Sequence, residues 1–280
     1  MFEEDNMQLQ GKVALITGGG GGIGAAIAER FVHDGARVCI SGRRQEGLDE
    51  MARTLPSGTV ATCAGDVSKD EDAARMVKTT IDFGGRIDVL VNNAAINAAG
   101  SLVDTDRAAW RKGIDVNLIG PFVLMQEAIP PMIKNGGGSI INIASGAGMR
   151  ALANHSAYCT SKAALIMLSQ QAALDYGPQK IRVNAVCPGV VKTPMSENDL
   201  GDIAKTIGMD KAGFFEMLAK MTPLQRFAEP AEIGGICAFL ASDDSSFMTG
   251  AAIAIDAGTT VVDVVGAGIM AALRRYYEQR

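Results

Sequence analysis

The chain has 280 residues, 48% of them hydrophobic, and a net charge of −5. That is enough to bury one sizeable core, and the charge leaves no basic stripe for nucleic-acid phosphates. Five cysteines (Cys39, Cys63, Cys159, Cys187, Cys237) are odd in number, scattered and without a C-x-x-C pair. They exclude a disulfide framework or a thiolate metal site and suit the reduced thiols of a cytoplasmic protein.

The acidic start Met1-Phe2-Glu3-Glu4-Asp5 is unlike a signal peptide, and the late apolar stretch 261–273 is too short to cross a bilayer and contains Asp263. The expectation is a soluble protein without a membrane partner. Apolar runs predict strands at 12–17, 36–41, 59–64, 87–92, 138–144, 181–187 and 251–256. Helical patterns fill the gaps at 23–34, 45–55, 70–83, 107–134, 155–177, 198–220 and 230–241. Runs such as Val89-Leu90-Val91 and Ile140-Ile141-Asn142-Ile143 suit parallel strands covered on both faces. The alternation predicts an α/β fold, a doubly wound seven-stranded parallel sheet in a single domain over 1–258, with ligands at the strands' carboxyl ends. Segment 194–228 breaks the alternation and is expected to act as a substrate lid; 259–280 is a C-terminal extension.

After the first strand, Thr17 leads into a glycine-rich turn with Gly18, Gly22, Ile23 and Gly24. Such a turn lets a pyrophosphate approach the backbone at a helix N-terminus, where oriented N–H groups meet it. The second strand ends Ser41-Gly42-Arg43-Arg44, with no carboxylate for the hydroxyls of an adenosine ribose. Guanidiniums fork onto a 2′-phosphate, so Arg43 and Arg44 favour NADP, with NAD possible; both could instead be the solvated start of the next helix. Asp66-Val67, past the third strand, is placed to meet the adenine. Asn92-Asn93-Ala94-Ala95 ends the fourth strand with small residues against which a cofactor can lie, Asn93 among them.

Thr17-Gly18 through Gly24, Asn92-Asn93-Ala94, Asn117, Ser145, Tyr158, Lys162 and Pro188-Gly189 resemble, in order and spacing, the short-chain dehydrogenase/reductase family over residues 9–258. The resemblance implies a Rossmann-like fold, a nicotinamide cofactor and a homotetramer. It further implies that Asn117 holds a water linking Lys162 to solvent, and that Pro188, Gly189 and Val191 close over the nicotinamide with Thr193 near the phosphates. Two departures stand out: Ala95 and Ala257 occupy places where the family usually has glycine.

The chemistry of the set follows from its groups. A ketone needs a proton donor at its oxygen, and an alcohol needs a base there. A spacing of four puts Tyr158 and Lys162 on one helix face, where the ammonium is expected to lower the phenol's pKa and also to bond the nicotinamide ribose. Ser145 offers a neutral donor to the substrate oxygen. Met149, Leu152, His155, Ile96, Asn97 and the segment holding Met195, Met209, Phe214, Phe215, Met217, Leu218 and Met221 are expected to line an apolar substrate site.

The leading expectation is an oxidoreductase moving a hydride between NADP(H) and a lipophilic or cyclic, possibly steroid-like, secondary alcohol or ketone. A 3-oxoacyl-carrier-protein reductase is the alternative, with Arg107, Arg111, Lys112 and Arg150 as candidates for meeting an acidic carrier. A non-catalytic nicotinamide-binding sensor or scaffold is the alternative of another class.

Overall fold

Runs rich in β-branched and aliphatic side chains become the strands β1 (Val13–Thr17), β2 (Arg37–Gly42), β3 (Val60–Ala64), β4 (Val89–Asn92), β5 (Gly138–Ile143), β6 (Ile181–Pro188) and β7 (Ala252–Ile255). They were located in a computed structural model of the chain, which describes residues 7–97 and 99–263. The sheet has seven strands in the order β3-β2-β1-β4-β5-β6-β7, and every neighbouring pair is parallel. The predicted doubly wound sheet is present. Strand order reverses between β1 and β4, and the crevice opens there at the carboxyl edge.

The helices are α1 (Gly22–His33), α2 (Gln45–Thr54), α3 (Asp70–Gly84), α4 (Arg107–Ile114), α5 (Gly120–Lys134), α6 (Ser156–Tyr176), α7 (Pro194–Thr206), α8 (Lys211–Lys220) and α9 (Pro230–Ala241). One face of the sheet packs Ile27 and Phe31 of α1 with Ile233 and Leu240 of α9. The other packs Met76 of α3 with Leu124, Ala128 and Met132 of α5. Strands β1 and β4 are buried along their whole length, which explains their unbroken apolar pattern.

Two helices differ from expectation. The run 107–134 is interrupted by a π turn, Asp115–Ile119, which contains Asn117. The expected helix 198–220 is two helices. Its first half starts earlier, at Pro194, because Thr193 Oγ1 accepts from Ser196 N and caps it. The break falls at Ile207–Asp210, where Gly208 takes φ 71° and the Asp210 carboxylate caps the next helix by accepting from Gly213 N at 2.8 Å.

Arg107–Lys134 is long and apolar enough to cross a membrane by length and composition, but half of its most apolar window is buried inside the fold. Four of the five cysteines are buried and Cys159 is partly so; all five are free. Beyond β7 the chain makes a short turn, Thr259–Val261. The rest of the C-terminal extension, from Val264 onward, lies outside the described residues.

Candidate active site

The turn between β1 and α1 needs glycine for backbone reasons. Gly18 and Gly22 take φ 67° and 55°, the left-handed region that side chains disfavour. At Gly24 a Cβ would stand 2.2 Å from the Gly18 carbonyl oxygen. The turn is held from the side of β4: Asn93 Nδ2 donates to Thr17 O at 2.8 Å and Gly18 O at 3.3 Å. Thr17 Oγ1 accepts from the backbone N–H groups of Asn93 and Ala94, both at 3.0 Å.

Gly18, Gly20, Gly21, Gly22 and Ile23 line a cleft of about 900 Å³ along the carboxyl ends of the strands, while Gly24 packs behind it. The backbone surface and helix N-terminus fit a pyrophosphate. Arg43, Arg44, Asp66 and Val67 line the same cleft beyond the turn. Arg43 and Arg44 are exposed, and neither guanidinium makes a hydrogen bond or ion pair with the described residues, so neither is committed to the protein. Partial burial works against the Asp66 carboxylate. The Ser68 hydroxyl and amide and the Lys112 ammonium outweigh it and bring Asp66 down to about 2. Lys112 Nζ, from α4, meets Asp66 Oδ2 at 3.1 Å.

Ser145 follows β5 and its Oγ accepts from Ala147 N at 3.1 Å. Tyr158 and Lys162 come from the first turns of α6, and all three line the cleft. Lys162 is buried at 2% exposure; its Nζ donates to Ile143 O at 2.7 Å. Burial pushes its pKa down to about 8. Burial also dominates at Tyr158 and raises its phenol; the Ser145 hydroxyl opposes that, and the charges of Cys159 and Asp199 add to it. The expected lowering by Lys162 is not what the protein's own groups produce. Among these groups burial disfavours the phenolate.

Asn117 is buried at 1% exposure and does not line the cleft. Its Oδ1 accepts from Ile96 N and its Nδ2 donates to Ile96 O, both at 2.9 Å. Nδ2 also donates to Ser161 Oγ at 3.2 Å. The side chain thereby ties the strand-end wall to α6 beside Tyr158.

Pro188, Gly189, Val191 and Thr193 line the cleft opposite the turn. Gly189 has no room for a side chain: a Cβ would meet Asp256 Cα at 2.9 Å. Of the expected substrate wall, Ile96, Asn97, Leu152, His155 and Met195 line the cleft. Met149, Met209, Phe214, Phe215, Met217, Leu218 and Met221 do not; on α8, Phe215 instead pairs edge-on with Phe227.

Among the lining residues missed by sequence reasoning are Asp199, Leu200 and Ile203, on one face of α7. Recognising the Thr193-Pro194 cap would have located that helix and its face. The two departures from the usual glycines also resolve differently. Ala95 lines the cleft, whereas Ala257 adopts φ 56°, so its methyl is a matter of backbone strain. Asp256 holds that corner, accepting from Gly258 N at 2.9 Å and Thr260 N at 2.7 Å.

A family model described as enoyl-(acyl carrier protein) reductase matches residues 19–260. An uncharacterized oxidoreductase of Thermotoga maritima is 41% identical over 261 residues, 91% of this chain and 100% of that one. The chain belongs to the short-chain dehydrogenase/reductase family. Meso-2,3-butanediol dehydrogenase of Serratia marcescens is 38% identical, over 92% of this chain and 98% of that one. Among solved structures, L-sorbose reductase from Gluconobacter frateurii, complexed with NADPH and L-sorbose, superposes with a TM-score of 0.87 at 32% identity, covering 92% of this chain and 100% of that one. As a member of this short-chain dehydrogenase/reductase family, the protein is an oxidoreductase acting on CH–OH groups.

Proposed function

We propose that the protein exchanges a hydride between NADP(H) and a secondary alcohol or ketone with an apolar body. The observation carrying this reading is that Ser145, Tyr158 and Lys162 meet in the cleft that the glycine turn opens. A nicotinamide cofactor, when bound, supplies or takes the hydride.

The chain's own residues do the rest. Gly18, Gly22 and Ile23 receive the pyrophosphate, with Thr193 beside it. Arg43 and Arg44 meet a 2′-phosphate, and Asp66 and Val67 border the adenine. Pro188, Gly189 and Val191 cover the nicotinamide face. Ser145 and Tyr158 both address the substrate oxygen, and in reduction Tyr158 gives it a proton. Lys162 bonds the nicotinamide ribose, and proton supply runs from it past Asn117 to solvent.

Ile96, Leu152, Met195, Leu200 and Ile203 offer the carbon skeleton an apolar wall, so lipophilic and cyclic alcohols, steroid-like ones included, belong among the substrates to be tried. A carrier-bound 3-oxoacyl substrate is the second reading. The description of the matching family model names a carrier-bound acyl substrate, though an enoyl one, and Arg107 and Arg111 are exposed for an acidic carrier to meet.

The assembly belongs to the same proposal. Phe122 of α5 and Met167 and Leu174 of α6 are 41%, 63% and 74% exposed, and a homotetramer would cover such faces. Five free cysteines support a cytoplasmic setting.

The test is to mix the purified protein with NADPH or NADH and a panel of ketones, following nicotinamide absorbance. Turnover that is faster with NADPH and lost in Tyr158→Phe, with cofactor affinity kept, supports the reading. Substantial turnover by Tyr158→Phe refutes it.

A further inference from the structure

The substrate end of the cleft is not uniformly apolar. α7 brings Asp199 into the wall that Asn97 and His155 also line. Asn97 Nδ2 donates to Asp199 Oδ2 at 3.0 Å across 102 residues of chain. Among the described residues Asp199 forms no ion pair: the nearby lysines are spent elsewhere, Lys192 on Glu229 and Lys211 on Glu197.

Asn97 Oδ1 is buried without a donor among the described residues. His155 Nδ1 lies 2.7 Å from the Ala153 carbonyl oxygen. A carbonyl only accepts, so Nδ1 carries the hydrogen.

Among the described residues the Asp199 carboxylate accepts from Asn97 alone and Asn97 Oδ1 from none, which constrains what can bind there. A purely apolar substrate strips water from Asp199 and returns nothing, and an anionic one meets an unneutralised carboxylate. We propose that Asp199, held by Asn97, is a specificity-determining residue that selects substrates carrying a hydroxyl or ammonium hydrogen-bond donor besides the reacting carbonyl, and rejects anionic ones. The charge of Asp199 also reaches the catalytic phenol, which it helps to raise. The preferred substrate is amphiphilic, with its carbon body on Leu152 and Met195 and a donor group at Asp199. This inference rests on the proposed ketone reduction and names the substrate class of that site.

The experiment compares kcat/KM with NADPH for 3-hydroxybutan-2-one against butan-2-one, 5-hydroxypentan-2-one against pentan-2-one, and 4-oxopentanoate as the anion. The enzymes are the wild type, Asp199→Asn and Asp199→Ala. In the wild type, at least one hydroxyketone should exceed its unsubstituted partner by about tenfold, and 4-oxopentanoate should fall below pentan-2-one by a similar factor. Asp199→Ala should bring the hydroxyketone ratio to within about twofold, mainly through KM, with reduction of pentan-2-one retained. Asp199→Asn should admit 4-oxopentanoate while keeping part of the preference for the hydroxyl.

A wild-type ratio near one, or ratios unchanged in Asp199→Ala, overturns the inference and leaves ketone reduction standing. If the wild type reduces none of these ketones nor any other in the panel, the functional reading itself fails.

Discussion

Lys162 Nζ lies 5.7 Å from the centroid of the Tyr158 ring, one helical turn along α6, yet its hydrogen bond goes to Ile143 O. The ammonium is buried deeply enough to titrate at about 8, whereas the phenol is raised above its ordinary value by burial. In reduction the phenol must hold its proton and the lysine its charge. Of the two, the lysine is lost first as pH rises. We expect kcat/KM for ketone reduction to be flat below pH 8 and to fall about tenfold per unit above it. Initial rates from pH 6 to 10 check this, and a fall centred below pH 7 would assign a different group.

The same burial has a cost in stability. Lys162 titrates at about 8 when folded and at its ordinary 10.5 when exposed. Between these values the unfolded chain holds more protons, so stability rises with pH through the window, and below pH 8 the full cost is felt. Lys162→Met should therefore raise stability at pH 7 by about 1–2 kcal/mol, after allowing for the hydrogen bond lost at Ile143 O. The gain should shrink as pH climbs from 8 toward 10.5. Thermal unfolding at pH 7 and 10 reads it, and the variant should be inactive.

Cofactor choice can be tested at the rim of the cleft. Arg43→Ala should weaken NADPH binding by about tenfold, near 1.4 kcal/mol, and leave NADH binding within about twofold. Titration of both cofactors by fluorescence decides the point; equal losses would mean that the guanidinium faces water.

Ala257 holds a left-handed backbone, φ 56°, at a cost of about 1–2 kcal/mol for a residue with a side chain. Ala257→Gly removes that strain and adds some freedom to the unfolded chain. The expected outcome is a net gain of about 0.5–1 kcal/mol in denaturant unfolding. A loss of stability would show that the methyl contributes packing.

The exposed apolar face of α6 bears on assembly. Met167→Glu combined with Leu174→Glu should convert the proposed tetramer to smaller species, seen by light scattering at micromolar concentration. A wild-type monomer would remove the proposal.

Much of this architecture was legible because its causes are local. Val13–Ile16 and Val89–Val91 are buried on both faces, so their apolar runs carry the strand signal without help from distant residues. The glycine turn and the Tyr158–Lys162 spacing are local in the same sense. What escaped depends on groups far apart in the chain. The Asn97–Asp199 pair joins α7 to the loop after β4, and the Lys112–Asp66 pair joins α4 to the loop after β3. The break at Ile207–Asp210 was local but masked, since the methionines and phenylalanines around it continue a helical pattern through it. Their apolar character also drew the substrate wall onto α8, whose residues do not line the cleft.

The stitching of the glycine turn by Thr17 and Asn93 has a kinetic consequence. Those hydrogen bonds come from the protein's own groups, so the phosphate cradle keeps its shape without a ligand to organise it. Cofactor capture then pays little ordering entropy and becomes a matter of collision and steering. A molecule with a net charge of −5 repels a polyanion at long range, while Arg43 and Arg44 attract it at the rim. Added salt, which screens the distant repulsion first, should speed the first encounter before it weakens the grip.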